Sequence, residues 1–263
     1  MLQTNKLKEP RIFLLLTLVI LIAILIFYFV ASMITSVGYQ TYANADEILI
    51  GSEPQTVSKI TIIIDAGHGG EDPGAVANGS IEKDLNLSVS KKLATYLTLS
   101  GYRVIMTRTD DRLLYNDGEE AQKKHFDLYN RVELAESFDN SIFISIHMNK
   151  YPLESCKGLQ TFYSTNNELS TVLATWIQNT SKALMPNNNR QIKADQGTIF
   201  LLKNLKIPAI LVECGFLSNK EEALLLSKDA YQNKLALVLS SGIINYIKES
   251  EQANNYENKL YLQ

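Results

Sequence analysis

The chain has 263 residues, 46% hydrophobic and 20% charged, with a formal net charge of −3 at pH 7. That length suits one large domain plus an appendage, with enough apolar content for a sizeable core. A mildly acidic chain lacks the basic footprint of nucleic-acid recognition, and two cysteines, Cys156 and Cys214, are too few for a disulfide scaffold.

Residues 1–11 form a short basic N-terminus carrying Lys6, Lys8 and Arg11. Residues 12–34, from Ile12 to Ile34, are almost wholly apolar and uncharged. At ~1.5 Å per helical residue this run is long enough for a hydrocarbon core of ~30 Å. Acidic residues follow it (Asp46, Glu47, Glu53), so the positive-inside bias predicts a single-pass anchor with everything after it outside the cytoplasmic membrane. Ala43-Asn44-Ala45 offers a signal-peptide cleavage site as the competing reading, which would release a secreted form after Ala45. Residues 35–58 read as a polar linker.

From Lys59 the pattern changes. A β-branched run, Lys59 to Ile64, predicts a strand ending in the glycine-rich turn Asp65-Ala66-Gly67-His68-Gly69-Gly70. Leu85, Val89, Leu93 and Leu97 recur every four residues and predict a helix with Ser80 as its N-cap and Gly101 as its stop. Further strands are expected at residues 102–106, 141–146, 158–163 and 209–212. A loop is expected over 109–124, and helices at 128–137, 169–184 (stopped at Pro186), 221–226 and 231–247. Residues 250–263 read as a polar, partly disordered tail. Alternating strands and helices over 59–249 predict a single α/β domain with a mostly parallel central sheet flanked by helices.

In such sheets the site lies off the carboxyl ends of the strands. His68, His147 and Glu213 are each expected there, beyond three different apolar strands. Two histidines in equivalent places point to a metal pair, and a catalytic zinc needs a third protein ligand plus an open position. Glu82, fourteen residues after His68 at a helix start, is the leading candidate, with Asp65, Glu71, Asp72 and Asp84 as rivals. His125 reads as a solvated loop residue. Glu213, at the edge of a buried strand, costs desolvation unless paired or working, which suits a general base beside an activated water. Cys214 has no histidine left to activate it.

Together these residues resemble the zinc N-acetylmuramoyl-L-alanine amidases of the amidase-3 family. Four blocks carry the resemblance in order: Ile64 to Gly70 with Asp72-Pro73-Gly74-Ala75, Glu82 to Leu87, Phe143 to Asn149, and Val212 to Asn219. The resemblance implies Zn²⁺ on His68, Glu82 and His147, with Glu213 catalytic. It also implies a single α/β domain and hydrolysis of the amide joining N-acetylmuramic acid to L-alanine in peptidoglycan. Met148 departs from the small alanine of many relatives and bears on pocket shape. An N-terminal anchor, one catalytic domain and no wall-binding repeat resemble the germination-specific amidases of spore formers, whose action on cortex leads to muramic-δ-lactam. Some of those work with an accessory lipoprotein.

Three readings compete. A vegetative autolysin or cell-separation amidase would use the same chemistry. A carboxypeptidase or endopeptidase would need an arginine for a free carboxylate, for which Arg131 and Arg190 stand as candidates. An inactive wall-binding relative would have lost a ligand, and none of the ligand positions is lost.

Overall fold

The computed structural model describes residues 18–29 and 60–260. Two compact units divide the chain between Thr56 and Val57. In the first, residues 18–29 are helical, with Phe27, Tyr28 and Phe29 exposed. Among the described residues no helix is long and apolar enough to cross a membrane. The ends of the expected span over 12–34, and the linker over 35–58, lie outside the described residues.

The second unit is built on six strands: β1 (Thr61–Ala66), β4 (Arg103–Met106), β5 (Ser141–Asn149), β6 (Gln160–Tyr163), β7 (Lys193–Ala194) and β8 (Ala209–Phe216). Their order across the sheet is β4-β1-β5-β8-β6-β7. β4, β1, β5 and β8 run parallel, while β6 pairs antiparallel with β8 and parallel with β7. A small antiparallel hairpin, β2 (Val76–Ala77) and β3 (Ser80–Ile81), stands apart.

Helices cover both faces. α1 (Glu82–Leu99), α3 (Leu169–Leu184) and α6 (Asp229–Leu260) lie on one side, and α2 (Lys123–Glu136) and α4 (Phe200–Asn204) on the other. α5 (Lys220–Leu226) joins the first core. Strand alternation decides which residues meet which layer. Ile62, Ile64, Ile144, Ile146, Ile210 and Val212 share one core with Val89, Leu93 and Leu97 of α1 and Leu173 and Ile177 of α3. Ile63, Phe143 and Leu211 face Ala135 of α2 and Leu201 of α4. Each fully buried Leu, Ile or Val contributes ~1.5–3 kcal/mol, so strands buried on both sides hold the end of the sheet rigidly.

Several boundaries differ from expectation. Ser80 does not cap α1, because it pairs with Ala77 in the hairpin and Ile81 occupies the N-cap without a side-chain bond. Carbonyls take over the cap's work: the N–H of Glu82 donates to Ala75 O at 2.9 Å and that of Lys83 to Pro73 O at 3.2 Å. His125 lies on a helix rather than a loop, although it is exposed as expected. Residues 250–260 of the expected irregular tail are helical, as the end of α6, and residues 261–263 lie outside the described residues. β1 has β4 on one side and β5 on the other, so chain order reverses between β1 and β5. Their carboxyl ends mark the crevice where open α/β sheets bind ligands.

Candidate metal centre

His68 follows β1, His147 lies near the end of β5, and Glu82 opens α1. The three bring ligand atoms within 4.8 Å of one another, the group of this kind found among the described residues. Glu82 Oε1 lies 2.9 Å from His147 Nδ1 and 3.2 Å from His68 Nε2. Bonds of ~2.0–2.1 Å to a tetrahedral zinc place donors about 3.4 Å apart, so these gaps already approach a coordination edge. The two imidazole rings stand edge to face, 4.9 Å apart at 74°.

The backbone is shaped around these side chains. His68 itself has φ 61°, a left-handed conformation that costs a non-glycine residue ~1–3 kcal/mol. A Cβ at Gly67 would lie 2.2 Å from His147 Nε2, and one at Gly74 would lie 2.6 Å from both Glu82 Oε2 and His68 Cδ2. Only glycine lets the histidines and the carboxylate converge. Immediately after His147 the β5–β8 register shifts, the kind of irregularity that re-aims a side chain near a site.

Outer partners orient the donors. His68 Nδ1 donates to Asp72 Oδ2 at 2.9 Å, which turns Nε2 towards the cluster. Glu82 Oε2 accepts from the N–H of Ala75 at 2.7 Å, and Oε1 from that of Met148 at 3.2 Å. Burial pushes the Glu82 carboxyl up, but hydrogen bonds from His147 and His68 outweigh it and hold the group well below the usual carboxylate range. Burial opposes protonation of His68, yet Glu82 and Asp72 together raise it. The cluster holds an ionised carboxylate between two nitrogens, the protonation pattern a metal displaces on binding.

Glu213 sits on β8 in register with His147. Its Oε2 is enclosed without a hydrogen-bond partner. Burial raises its carboxyl to about 7, with His147 pulling the value down and Glu82 pushing it up. A buried polar atom left unpaired costs ~1–3 kcal/mol or more, which makes sense beside a polar group that arrives with metal and substrate. On this ground the His₂Glu set and Glu213 fit a catalytic zinc.

The remaining candidates fall elsewhere. Asp65 is fully buried and bonded to Arg131, Ser145 and Thr107, beneath the cluster rather than in it. Glu71 pairs with Lys123, and Asp84 is exposed on α1. Cys214 points into the core on the opposite face, where burial pushes its thiol far above the usual range. Arg190 donates to Lys157 O at 2.7 Å and covers the Phe216 ring at 4.4 Å.

Sequence reasoning missed one structural part, the layer of arginines under the turn. Arg131 donates to Asp65 and to the carbonyls of Ala66 and His68, while Arg108 donates to those of Ala66 and Gly67. Both arginines are 1% exposed. Asp65 inside an apolar strand was the available signal, because such a charge needs a buried counterpart.

The sequence profile of the N-acetylmuramoyl-L-alanine amidase family matches residues 62–245, which contain every residue of the cluster. The chain belongs to this family. By that membership the amidase is a peptidoglycan hydrolase, as its four sequence blocks imply. It is 38% identical over 190 residues to the germination-specific N-acetylmuramoyl-L-alanine amidase of Bacillus subtilis, covering 72% of this chain and 80% of that one. Its fold is similar to the CwlD amidase from Clostridioides difficile, solved in complex with the GerS lipoprotein. That match has a TM-score of 0.68 and 41% identity, over 72% of this chain and 98% of the other. The N-acetylmuramoyl-L-alanine amidase LytC of Bacillus subtilis is 30% identical, and the amidase spans 40% of its length.

Proposed function

We propose that this amidase is a zinc hydrolase that removes stem peptides from muramic acid during spore cortex maturation. One observation carries the chemistry: three donor atoms meet at the β1–β5 switch point, with the unpartnered Glu213 Oε2 on the adjacent strand. His68, Glu82 and His147 would hold the metal. Zinc there supplies Lewis acidity for the scissile carbonyl and acidifies a water.

The chain's own groups do the rest. Glu82, kept ionised, and the two imidazoles supply a cradle of one negative charge and two nitrogen donors. Asp72 keeps His68 in the tautomer that offers Nε2. Glu213, with a carboxyl near neutrality, takes the proton of the attacking water and hands it to the departing amine nitrogen. Neither Arg131 nor Arg190 is free to hold a substrate carboxylate, which supports amide cleavage within the chain of bonds over removal of a terminal residue.

The N-terminal run over 12–34 and its basic flank support placement of the catalytic domain outside the cytoplasmic membrane, facing the wall. Likeness to the germination-specific relative supports the cortex role. Likeness to a CwlD structure solved with a lipoprotein supports an accessory lipoprotein as partner. Mass spectrometry of purified peptidoglycan, digested by the protein with and without zinc, tests the reaction. Intact muramic acid lacking a stem peptide is expected only with zinc, and peptide-to-peptide cuts would reject it.

A further inference from the structure

One wall of the site pocket is made by Leu128 of α2 and Leu201 of α4, and Lys124, Asp127 and Arg131 extend it. Bordering that wall runs a row of aromatic rings. His125 and Tyr129 lie one turn apart on α2 with ring centroids 4.5 Å apart. Tyr129 meets Phe200, the first residue of α4, edge on at 5.1 Å. Phe200 packs on the second core, so the row is anchored at one end. Tyr129 is 48% exposed and His125 is exposed, so its outer part is open.

The row neighbours the pocket lining along the chain: His125 follows Lys124, Tyr129 follows Leu128, and Phe200 precedes Leu201. Lys124, next to His125, places Nζ 3.1 Å from Asp72, which holds His68. Scattered exposed aromatics need no explanation. Three in a contiguous row beside pocket-lining residues do, because apolar ring area left in water is unfavourable until something covers it.

We propose that Tyr129, braced by Phe200 and His125, is a glycan shelf that takes the apolar face of a sugar ring neighbouring the muramic acid being cut. This rests on the amidase reading above. The scissile amide hangs from the lactyl group, a few bonds from its sugar, so a carbonyl held at the cluster brings the strand's next ring to the rim. A pyranose presents polarised C–H groups on its face and hydroxyls at its edge. The negative face of an aromatic ring attracts such C–H groups and repels the carboxylates of the stem peptide.

The test compares long peptidoglycan strands with a single-sugar muramoyl peptide, using zinc-loaded full-length chain and its Tyr129→Ala and Tyr129→Phe variants. Tyr129→Ala is expected to raise KM on strands about three- to tenfold, the range of one aromatic contact. Tyr129→Phe keeps the ring and should restore it, and the single-sugar substrate should not register the difference. Unchanged KM on strands, or equal losses on both substrates, would overturn the shelf. A wild type that cleaves neither substrate is a separate failure, of the amidase reading. Co-sedimentation of the Glu213→Gln chain with purified peptidoglycan then still reads the shelf without turnover. Peptide-free glycan strands should compete for binding, and binding that ignores both those strands and Tyr129→Ala would overturn it.

Discussion

The Arg131 guanidinium lies 2.5 Å from the Asp65 carboxylate and donates at 2.9 Å to the carbonyl of His68. A buried ion pair is thus tied to the strained residue that carries a candidate metal ligand. Asp127 completes the set, 3.0 Å from the same guanidinium. Desolvation raises the Asp65 carboxyl, but Arg131, Ser145 and Thr107 outweigh it and lower its titration below the ordinary 3.8. A lowered native value means this stability is complete above the unfolded value and is lost as pH falls through the native one.

Asp65→Asn should therefore lose somewhat less than the ~3–5 kcal/mol of a fully unpaired buried charge at pH 7, since the guanidinium keeps Asp127 but loses one of its two carboxylates. It should also flatten the acid limb of stability below pH 4. Urea denaturation from pH 7 to pH 3 checks both. A variant as stable as the wild type, with the same acid limb, would separate Asp65 from Arg131 energetically.

Much of this arrangement was legible in the sequence, and the boundary is physical. The four-residue repeat of Leu85 to Leu97 predicted α1, and apolar runs leading into His68, His147 and Glu213 predicted one crevice, although β5 and β8 continue past His147 and Glu213 instead of stopping before them. Those signals are local. Arg131 was visible only as an arginine and Asp65 only as an acid, because their pairing joins positions 66 residues apart. Ser80 looked like a cap because its role in the hairpin depends on Ala77. Strand direction was equally hidden: β6 reads like its parallel neighbours but pairs antiparallel with β8.

Metal binding should follow the cluster rather than the histidine count. His147→Ala should lose stoichiometric zinc and nearly all activity. His125→Ala should retain zinc, because its ring faces Tyr129 on the helix surface. Metal analysis of gel-filtered protein decides, and full zinc in His147→Ala would remove that residue from the ligand set.

The glycines give a sharper geometric test. Gly74 and Gly79 both have positive φ, 65° and 76°, but an added Cβ meets Glu82 and His68 at Gly74 and nothing within 4 Å at Gly79. Each alanine variant should pay a similar backbone strain of ~1–3 kcal/mol. Gly74→Ala alone should also weaken metal binding, about tenfold or more by displacing ligands. Equal metal affinity in the two variants would contradict the close approach.

The N-terminal run makes a cellular prediction. The full chain should stay in the membrane fraction after alkaline washing, because Ile12 to Ile34 is long enough to span. Recovery of a soluble form beginning at Asp46 would favour cleavage after Ala45.

Glu213→Gln tests the mechanism most directly. The substitution keeps the volume and removes the capacity to accept a proton at Oε2, the atom with no partner in the structure. Zinc content should stay near wild type, since the three donors lie on other residues. Stability should hold or rise slightly, because a buried carboxyl raised to about 7 is disfavoured in its charged form and an amide carries no such charge. Turnover should nonetheless fall by ~10²–10⁴-fold, the usual contribution of a general base. A carboxylate that merely paired with a cation would give the reverse pattern, with a lower melting temperature and turnover intact per folded molecule. Measuring zinc, melting temperature and stem-peptide release on one preparation separates the two, and near-normal turnover with normal zinc would take Glu213 out of the reaction.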